Sequence, residues 1–362
     1  MTMVNTKSTP VDEVLDKALS GERLTLEDGI ALYESDDLLK IGSAAKKVMM
    51  RLHPDNIVTF VINRNINYTN VCDTYCTFCA FYRKVGHKEA YVLKDEIIFD
   101  KIQETIDLGG TEILMQGGTH PDLPFEYYLD LLRKIKARFD ITMHSFSAAE
   151  IWKMVEVSGL SLEEVIRQLK EAGLDSLPGG GAEILDDRTR MRISRLKGSW
   201  TKWMEVHDTA HRLGMNTTAT MVIGFGESYE ERVLHMLRVR EQQDKTGRFT
   251  AFIPWTYQPD NTALRGTRAT AVEYLKTVAI SRLVLDNIKN IQASWVTMGS
   301  KIGQISLEFG CNDMGSTMIE ENVVAAAGAH NRMNRDELVR LIQDAGKIAA
   351  QRTTQYQILR TF

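Results

Sequence analysis

The stretch IVTFVINRNINYTNVCDTYCTFCAFYR, residues 57–83, joins a predicted β-strand to a cluster of cysteines. Its first half is rich in β-branched and apolar residues, which is typical of a buried strand. Its second half carries Cys72, Cys76 and Cys79 within eight residues, although the 362-residue chain has only four cysteines. Such crowding indicates a metal or redox site. The fourth cysteine, Cys311, stands alone and is interpreted as a small buried hydrophobic residue.

The spacing of the three cysteines, CX₃CX₂C, indicates what they bind. Three thiolates on one tight loop can bind three irons of a cubane cluster and leave the fourth iron without a protein ligand. Such an iron can bind an exogenous chelating molecule, which suits redox chemistry. A structural zinc site is the alternative, and it would need a fourth ligand from Cys311 or from a distant histidine. We predict a [4Fe–4S] cluster on Cys72, Cys76 and Cys79.

Outward from this loop, β-rich runs alternate with amphipathic helical runs, several of which end in Gly. Eight β/α units over about 290 residues predict a (βα)₈ TIM-type barrel. An open doubly wound sheet is the alternative, because alternation alone cannot show that a sheet closes. Polar residues at the strand ends favour the barrel, which gathers them at its mouth above an apolar lining of Val, Ile, Phe and Met. The predicted strands are 57–69, 112–118, 141–147, 176–184, 216–224, 249–257, 290–298 and 304–313.

The N-terminal part of the chain has a different pattern. Residues 11–52 contain three runs with apolar residues at helical spacing, and Asp12, Ser35 and Asp37 are the predicted N-caps. We therefore predict an N-terminal helical extension over 1–56 and a barrel domain over 57–362.

Composition excludes several classes of function. The net charge is −4, and no basic stretch follows the chain as a nucleic-acid-binding protein would require. No apolar run reaches the length of a membrane span, and the polar N-terminus does not resemble a signal peptide. The expectation is a soluble cytoplasmic protein with neither nucleic acid nor membrane as a partner.

The cysteine spacing, with the aromatic Phe78 directly before Cys79, resembles the signature of the radical S-adenosylmethionine (SAM) family. The position of the loop after the first strand of a (βα)₈ pattern also matches that family. The resemblance implies that the open iron of the cluster chelates SAM. It further implies that an electron from the cluster cleaves SAM to a 5′-deoxyadenosyl radical.

Other strand ends resemble the SAM contacts of the family. The run GGT at 117–119 is similar to a GGE-type motif, with Thr119 replacing the acid, and a plain βα turn is the alternative. Glu183, in PGGGAEI, is expected to accept the ribose hydroxyls of SAM; an exposed Glu paired with Arg188 or Arg190 is the alternative. The cofactor-binding residues that the resemblance implies are Phe78, Gln116, Gly117, Gly118, Ser145, Glu183 and Gly224.

Longer runs resemble one branch of this family, the cyclic dehypoxanthinyl futalosine synthases of menaquinone biosynthesis. They include NRNINYTNVC (63–72), ILMQGGTHPDL (113–123), HSFSAAEI (144–151), FTAFIPWTYQPDNT (249–262) and EFGCNDMGST (308–317). The implied reaction takes hydrogen from C4′ of dehypoxanthine futalosine and joins that carbon to the benzoate ring. An external one-electron reductant such as flavodoxin or ferredoxin is implied as a partner. Aminofutalosine synthase and deazaflavin synthase are the related alternatives, and an iron–sulfur electron-transfer protein without catalysis is a distant one.

Polar residues at the strand ends are the candidates for substrate contact. His144 is the predicted base for the ring proton, since histidine titrates near neutral pH; orientation of SAM or a neighbour is the alternative. Asp313, on a loop predicted to follow the eighth strand, is the second catalytic candidate, and a turn-forming role is the alternative. Further candidates are Asn63, Asn67, His120, Thr218 and Asn312, with Phe252, Trp255, Tyr257 and Trp295 as aromatic walls or as core.

Overall fold

The computed structural model describes residues 11–362 and begins with three helices. Asp37 accepts a hydrogen bond from the backbone N–H of Lys40 and so caps the third helix, as predicted. The other two predicted N-caps are wrong. Asp12 lies inside the first helix. Ser35 directly follows the C-terminal end of the second helix, and Thr25 caps the N-terminal end of that helix. These helices are α1 (Val11–Ser20), α2 (Leu26–Glu34) and α3 (Leu38–Leu52).

From residue 57 onward, β-strands alternate with α-helices. The strands are β1 (Ile57–Val61), β2 (Asn63–Ile66), β3 (Glu112–Met115), β4 (Thr142–Ser145), β5 (Ser176–Leu177), β6 (Asn216–Ile223), β7 (Phe249–Thr256), β8 (Asn290–Ile291), β9 (Asp313–Ser316), β10 (Ile348–Arg352) and β11 (Ile358–Thr361). The helices are α4 (Asp95–Asp107), α5 (Phe125–Arg138), α6 (Ala148–Ser158), α7 (Leu162–Ala172), α8 (Asp187–Ile193), α9 (Trp200–Arg212), α10 (Tyr229–Thr246), α11 (Ala271–Val284), α12 (Trp295–Met298), α13 (Ser300–Ser306), α14 (Val323–Ala326) and α15 (Arg335–Asp344).

The strands close into a barrel. Strands β2 to β8 pair in chain order, all parallel, and β1 and β2 are one run interrupted at Ile62. Strand β9 pairs with β1 on one side and is joined to Gln292, just after β8, through Asp313 on the other. The predicted (βα)₈ barrel is therefore confirmed, and the open sheet is excluded.

The last barrel strand does not lie where the sequence predicts it. Residues 304–313 are helical in α13 and in a 3₁₀ turn at Leu307–Phe309, and β9 begins only at Asp313. Of the predicted strand 290–298, only Asn290–Ile291 form a strand, β8, and helix α12 begins at Trp295. Short apolar runs fit a buried helix and a buried strand equally well, so their spacing cannot separate the two.

Helix α2 packs against α10 and α11, α3 packs against α11, α1 packs against α2 and α3, and the apolar residues of all three belong to the same hydrophobic core as the barrel. Close packing explains two glycines here: a Cβ on Gly29 would lie 2.6 Å from Val233, and one on Gly42 would lie 2.6 Å from Phe309. The division at residue 56 stays a prediction. Within residues 11–362, no helix combines the length and apolar character that a membrane crossing requires.

The C-terminal hairpin of β10 and β11 closes the floor of the barrel, at the amino ends of its strands. Strand β10 runs beside β1, and the turn after it places Gln355 against Asn216 at the start of β6, 2.6 Å apart. The predicted apolar lining below the mouth is found only in part: apolar residues such as Leu114 line the interior, but so do Asn63 and Glu112, the first residues of β2 and β3. The barrel interior is thus a chamber of mixed apolar and polar lining with a floor.

Candidate active site

Two joined cavities occupy the barrel. The outer cavity, about 210 Å³, lies at the carboxyl ends of the strands, and the inner cavity, about 230 Å³, extends down to the C-terminal hairpin. Their linings share a small set of residues, so the two spaces meet at one junction. The shared residues are Gln116, Gly180, Trp255, Val323 and Val324.

All three predicted cluster cysteines line the outer cavity, on the loop between β2 and α4. Backbone bonds fix this loop: the N–H of Cys72 donates to the carbonyl of Arg83, and that of Cys79 donates to the carbonyl of Cys76. A Cβ on Gly118 would lie 2.2 Å from the carbonyl oxygen of Val71, so only glycine lets β3 approach the loop this closely.

The chemistry of these thiols fits a cluster. Burial raises the pKa of Cys76 to about 12 and also raises that of Cys79, so an unliganded thiolate is disfavoured there. Iron offsets this cost by binding the thiolate directly. Within residues 11–362, no three His, Cys, Asp or Glu side chains gather closely enough to hold one metal ion. The thiolates of a cubane cluster bind three different irons and need no such common point.

Thr119, in place of the acid of the GGE-type motif, is bound into the cysteine loop. Its hydroxyl lies 3.1 Å from Sγ of Cys72 and 2.6 Å from the hydroxyl of Thr74, and it donates to Asp73 over 2.7 Å. The N–H of the neighbouring Gly117 donates to the buried Glu150 over 2.9 Å. The strand end after β3 is therefore anchored to the cluster loop and to α6.

Glu183 lies in the outer cavity and is buried, so it is not the exposed residue of the alternative, although Nη1 of Arg190 lies 3.7 Å from its Oε2 in an ion pair. Its backbone is in the left-handed region, φ 43°, where Arg190 holds the carbonyls of Gly181 and Ala182. Oε1 of Glu183 accepts a hydrogen bond from Lys197 over 2.7 Å, whereas Oε2 has no hydrogen-bond partner within the described chain. The orphan oxygen is available to a ligand.

Sequence reasoning missed Lys197, which follows no recognisable motif. The ammonium lies in the outer cavity, over the ring of Phe78. Burial opposes its charge, but neighbouring Cys76 and Glu183 nevertheless raise the pKa of Lys197. The outer cavity therefore holds a lysine, paired with Glu183, beside the cysteine loop.

An aromatic wall faces the cysteines. Phe225, just after β6, contacts Phe78 and Tyr257 with ring centroids 5.2 and 5.0 Å apart, and all three line the outer cavity. Gly224 is not among the lining residues of this cavity; it borders a separate surface cleft. The carboxylate of Glu227 accepts the N–H groups of Gly224 and Phe225 and so fixes the turn that carries the Phe225 ring.

The inner cavity contains His144 but not its neighbour. Side chains of a strand alternate between its faces, and His144 points into the barrel while Ser145 is buried outside both cavities. Thr218 lines the inner cavity and accepts the N–H of Gly179, Trp255 lines both cavities, and Trp295 lines the inner one. Asn63 lines the inner cavity and Asn67 the outer, whereas His120, Phe252 and Asn312 line neither.

The position predicted for Asp313 is wrong. It is the first residue of β9 rather than part of a loop after a strand, because the barrel strand begins there. Its carboxylate is fully buried and forms two hydrogen bonds with Arg352, of 2.5 and 3.2 Å, and accepts others from Thr59 and from the N–H of Gly315. Asp313 on β9 therefore holds Arg352 of the C-terminal hairpin, which closes the barrel floor, and its carboxylate is not free to bind substrate.

The floor also supplies cavity residues that no sequence motif marks. Arg352, Thr354 and Tyr356 line the inner cavity together with Glu112 and Glu321. The guanidinium of Arg352 lies over the Tyr356 ring, with its Cζ 3.9 Å from the ring centroid. Burial raises the pKa of Tyr356, so its hydroxyl keeps its proton.

Comparison with known proteins agrees with this arrangement. Residues 66–239 match the radical SAM superfamily, and residues 246–362 match the CofH/MqnC C-terminal region. Methylornithine synthase (PylB) has the same fold, with a TM-score of 0.71 at 20% identity over 92% of this chain and 96% of that chain.

Curated relatives extend over the whole barrel. The chain is 62% identical to a cyclic dehypoxanthine futalosine synthase of Halalkalibacterium halodurans, over 97% of this chain and 96% of that protein. It is 46% identical to the enzyme of that name from Streptomyces coelicolor, over 98% of this chain and 90% of the relative. It is 40% identical to the aminodeoxyfutalosine synthase of Streptomyces coelicolor, over 97% and 94% of the two chains. The chain belongs to the cyclic dehypoxanthine futalosine synthase family of the radical SAM superfamily.

Proposed function

We propose that this chain cyclises dehypoxanthine futalosine to cyclic dehypoxanthine futalosine in menaquinone biosynthesis. The observation that supports it most is the pair of cavities that meet at Gln116, Gly180 and Trp255. One cavity presents three cysteines, and the other is a chamber deeper in the barrel that polar and apolar residues line together. A radical reaction needs this division, because the radical source and the substrate must meet at one point away from water.

The outer cavity suits a [4Fe–4S] cluster with SAM. When bound, this pair supplies a 5′-deoxyadenosyl radical after one-electron reduction, with flavodoxin or ferredoxin as the class of reductant. Cys72, Cys76 and Cys79 would hold the irons. Glu183 would accept the ribose hydroxyls, and Lys197 would face the carboxylate of SAM. The rings of Phe78 and Phe225 would flank the adenine.

Glu183→Gln is expected to weaken SAM binding about tenfold or more, since charge-assisted hydrogen bonds are each worth about 1.5–3 kcal/mol. The SAM dissociation constant of the reconstituted protein, measured anaerobically by equilibrium dialysis, checks this. Glu163→Gln is the control, because Glu163 is exposed on α7. An unchanged SAM dissociation constant in Glu183→Gln would remove Glu183 from the proposed site.

The inner cavity suits the substrate. The hydrogen atom leaves C4′ of the ribose, and the resulting carbon radical forms a bond to the benzoate ring. The ring then loses one proton to a base and one electron to a one-electron acceptor, which restores aromaticity. His144 is the proposed base: burial lowers its pKa, so the imidazole is neutral at neutral pH and can accept a proton.

Substrate deuterated at C4′ tests the reaction itself. The cyclase takes that hydrogen, so the released 5′-deoxyadenosine is expected to gain one deuterium by mass spectrometry. An aminodeoxyfutalosine synthase, the related alternative, would instead add the adenosyl radical to its substrate. Unlabelled deoxyadenosine, or an adenosine-containing adduct as the main product, would contradict the cyclase proposal.

A further inference from the structure

A short hydrogen-bond chain fixes one side of the His144 ring. His144 on β4 is paired in register with Ser176 on β5, and its Nδ1 lies 2.8 Å from the hydroxyl oxygen of Ser176. The same hydroxyl donates to the carbonyl oxygen of Asn216, on β6, over 2.9 Å. His144 and Ser176 are 7% and 2% exposed, so water does not compete for these bonds.

The number of available protons decides which group donates in each of these two hydrogen bonds. The Ser176 hydroxyl has one hydrogen, and the carbonyl of Asn216 can only accept. If that hydrogen pointed to His144, two oxygen atoms would face each other at 2.9 Å without a hydrogen between them. The hydrogen therefore lies toward Asn216, and the oxygen of Ser176 must accept from Nδ1–H of His144.

We propose that Ser176 is a positioning residue that holds neutral His144 in its Nδ1–H tautomer and presents an unprotonated Nε2 to the substrate. This inference rests on the proposed function, in which His144 is the base. The ring C–H bond of the cyclised intermediate breaks, its electron pair stays with the ring, and an N–H bond forms at Nε2. The Nδ1–H bond to Ser176 persists throughout, so neither tautomer exchange nor ring rotation has to precede the proton transfer.

The charges around His144 suit this role. Burial and Arg352, on β10, favour the neutral imidazole, and Glu112, on β3, favours the imidazolium that forms during the reaction. His207, on α9, also faces this region, and burial lowers its pKa well below the ordinary value, so it adds no charge. His144 is thus neutral before the proton transfer, and the nearby carboxylate of Glu112 favours the imidazolium that the transfer forms.

Nitrogen-15 NMR of protein labelled at histidine tests the tautomer directly, with His144→Gln used to assign the signals. The wild-type protein is expected to show Nδ1 protonated and Nε2 unprotonated. Ser176→Ala should lose this preference, and Ser176→Thr, which keeps a hydroxyl, should restore it. A wild-type spectrum in which the His144 ring carries its proton on Nε2 overturns the proposal.

Turnover gives the second readout. Ser176→Ala is expected to lower kcat on the order of 10–100-fold, part of the contribution typical of a general base. KM should stay within about twofold, and Ser176→Thr should recover most of the rate. Ser281→Ala is the control, because Ser281 is buried in α11, where its hydroxyl donates to the carbonyl oxygen of Thr277. Equal rates in Ser176→Ala and wild type overturn the proposal, whereas a wild-type enzyme that makes no cyclic product refutes the proposed function instead.

Discussion

Alanine at Cys72, Cys76 or Cys79 is expected to abolish SAM cleavage, whereas Cys311→Ala is expected to retain it. Each of the three lines the outer cavity, and loss of any one thiolate leaves an iron of the cluster without its ligand. Wild type and Cys311→Ala should bind about four irons and four sulfides per chain after anaerobic reconstitution. Iron and sulfide assays, with 5′-deoxyadenosine quantified by mass spectrometry, check both statements.

Cys311 is the matched control because it is fully buried outside both cavities. Burial raises its pKa to about 12, so it stays a thiol and packs as a small apolar side chain. The three-ligand assignment fails if Cys311→Ala loses its iron while any one of the three loop variants keeps a full cluster.

The second large effect concerns the barrel floor. Asp313→Asn is expected to lower the free energy of unfolding by about 3–5 kcal/mol, because it leaves the charge of Arg352 buried without its partner. It also weakens the contact between the C-terminal hairpin and β9, which are far apart in sequence. Denaturant midpoints of wild type and variant, followed by circular dichroism, measure the difference.

Two further variants separate this effect from a general loss of charge. Asp344→Asn removes an exposed ion pair with Arg340 on α15, and a change of only about 0.5 kcal/mol is expected. Replacing both partners, Asp313→Leu with Arg352→Met, should recover part of the loss because no lone charge remains buried. If Asp313→Asn unfolds at the wild-type midpoint, the ion pair does not stabilise the floor.

The order of secondary structure and the cluster ligands could be predicted because both depend on neighbours in the chain. Cys72, Cys76 and Cys79 lie on one loop, so their spacing alone limits what they can bind. The alternation of strands and helices is also a pattern of neighbouring residues, and it was enough to predict the barrel. Predictions were wrong where local pattern is ambiguous, as in residues 304–309, which form the end of α13 and a 3₁₀ turn instead of a strand.

Residue spacing was enough to predict the family of chemistry, from three cysteines in eight residues, and the barrel, from the repeated β/α pattern. Which polar residues face the cavities depends on the tertiary structure. Asp313 accepts a hydrogen bond from Thr59, 254 positions away, and Lys197 donates one to Glu183 in the outer cavity. Ser145 and His144 are adjacent in sequence but lie on opposite faces of β4. The reason is physical: spacing fixes local geometry, whereas burial and pairing depend on how distant strands close into one ring.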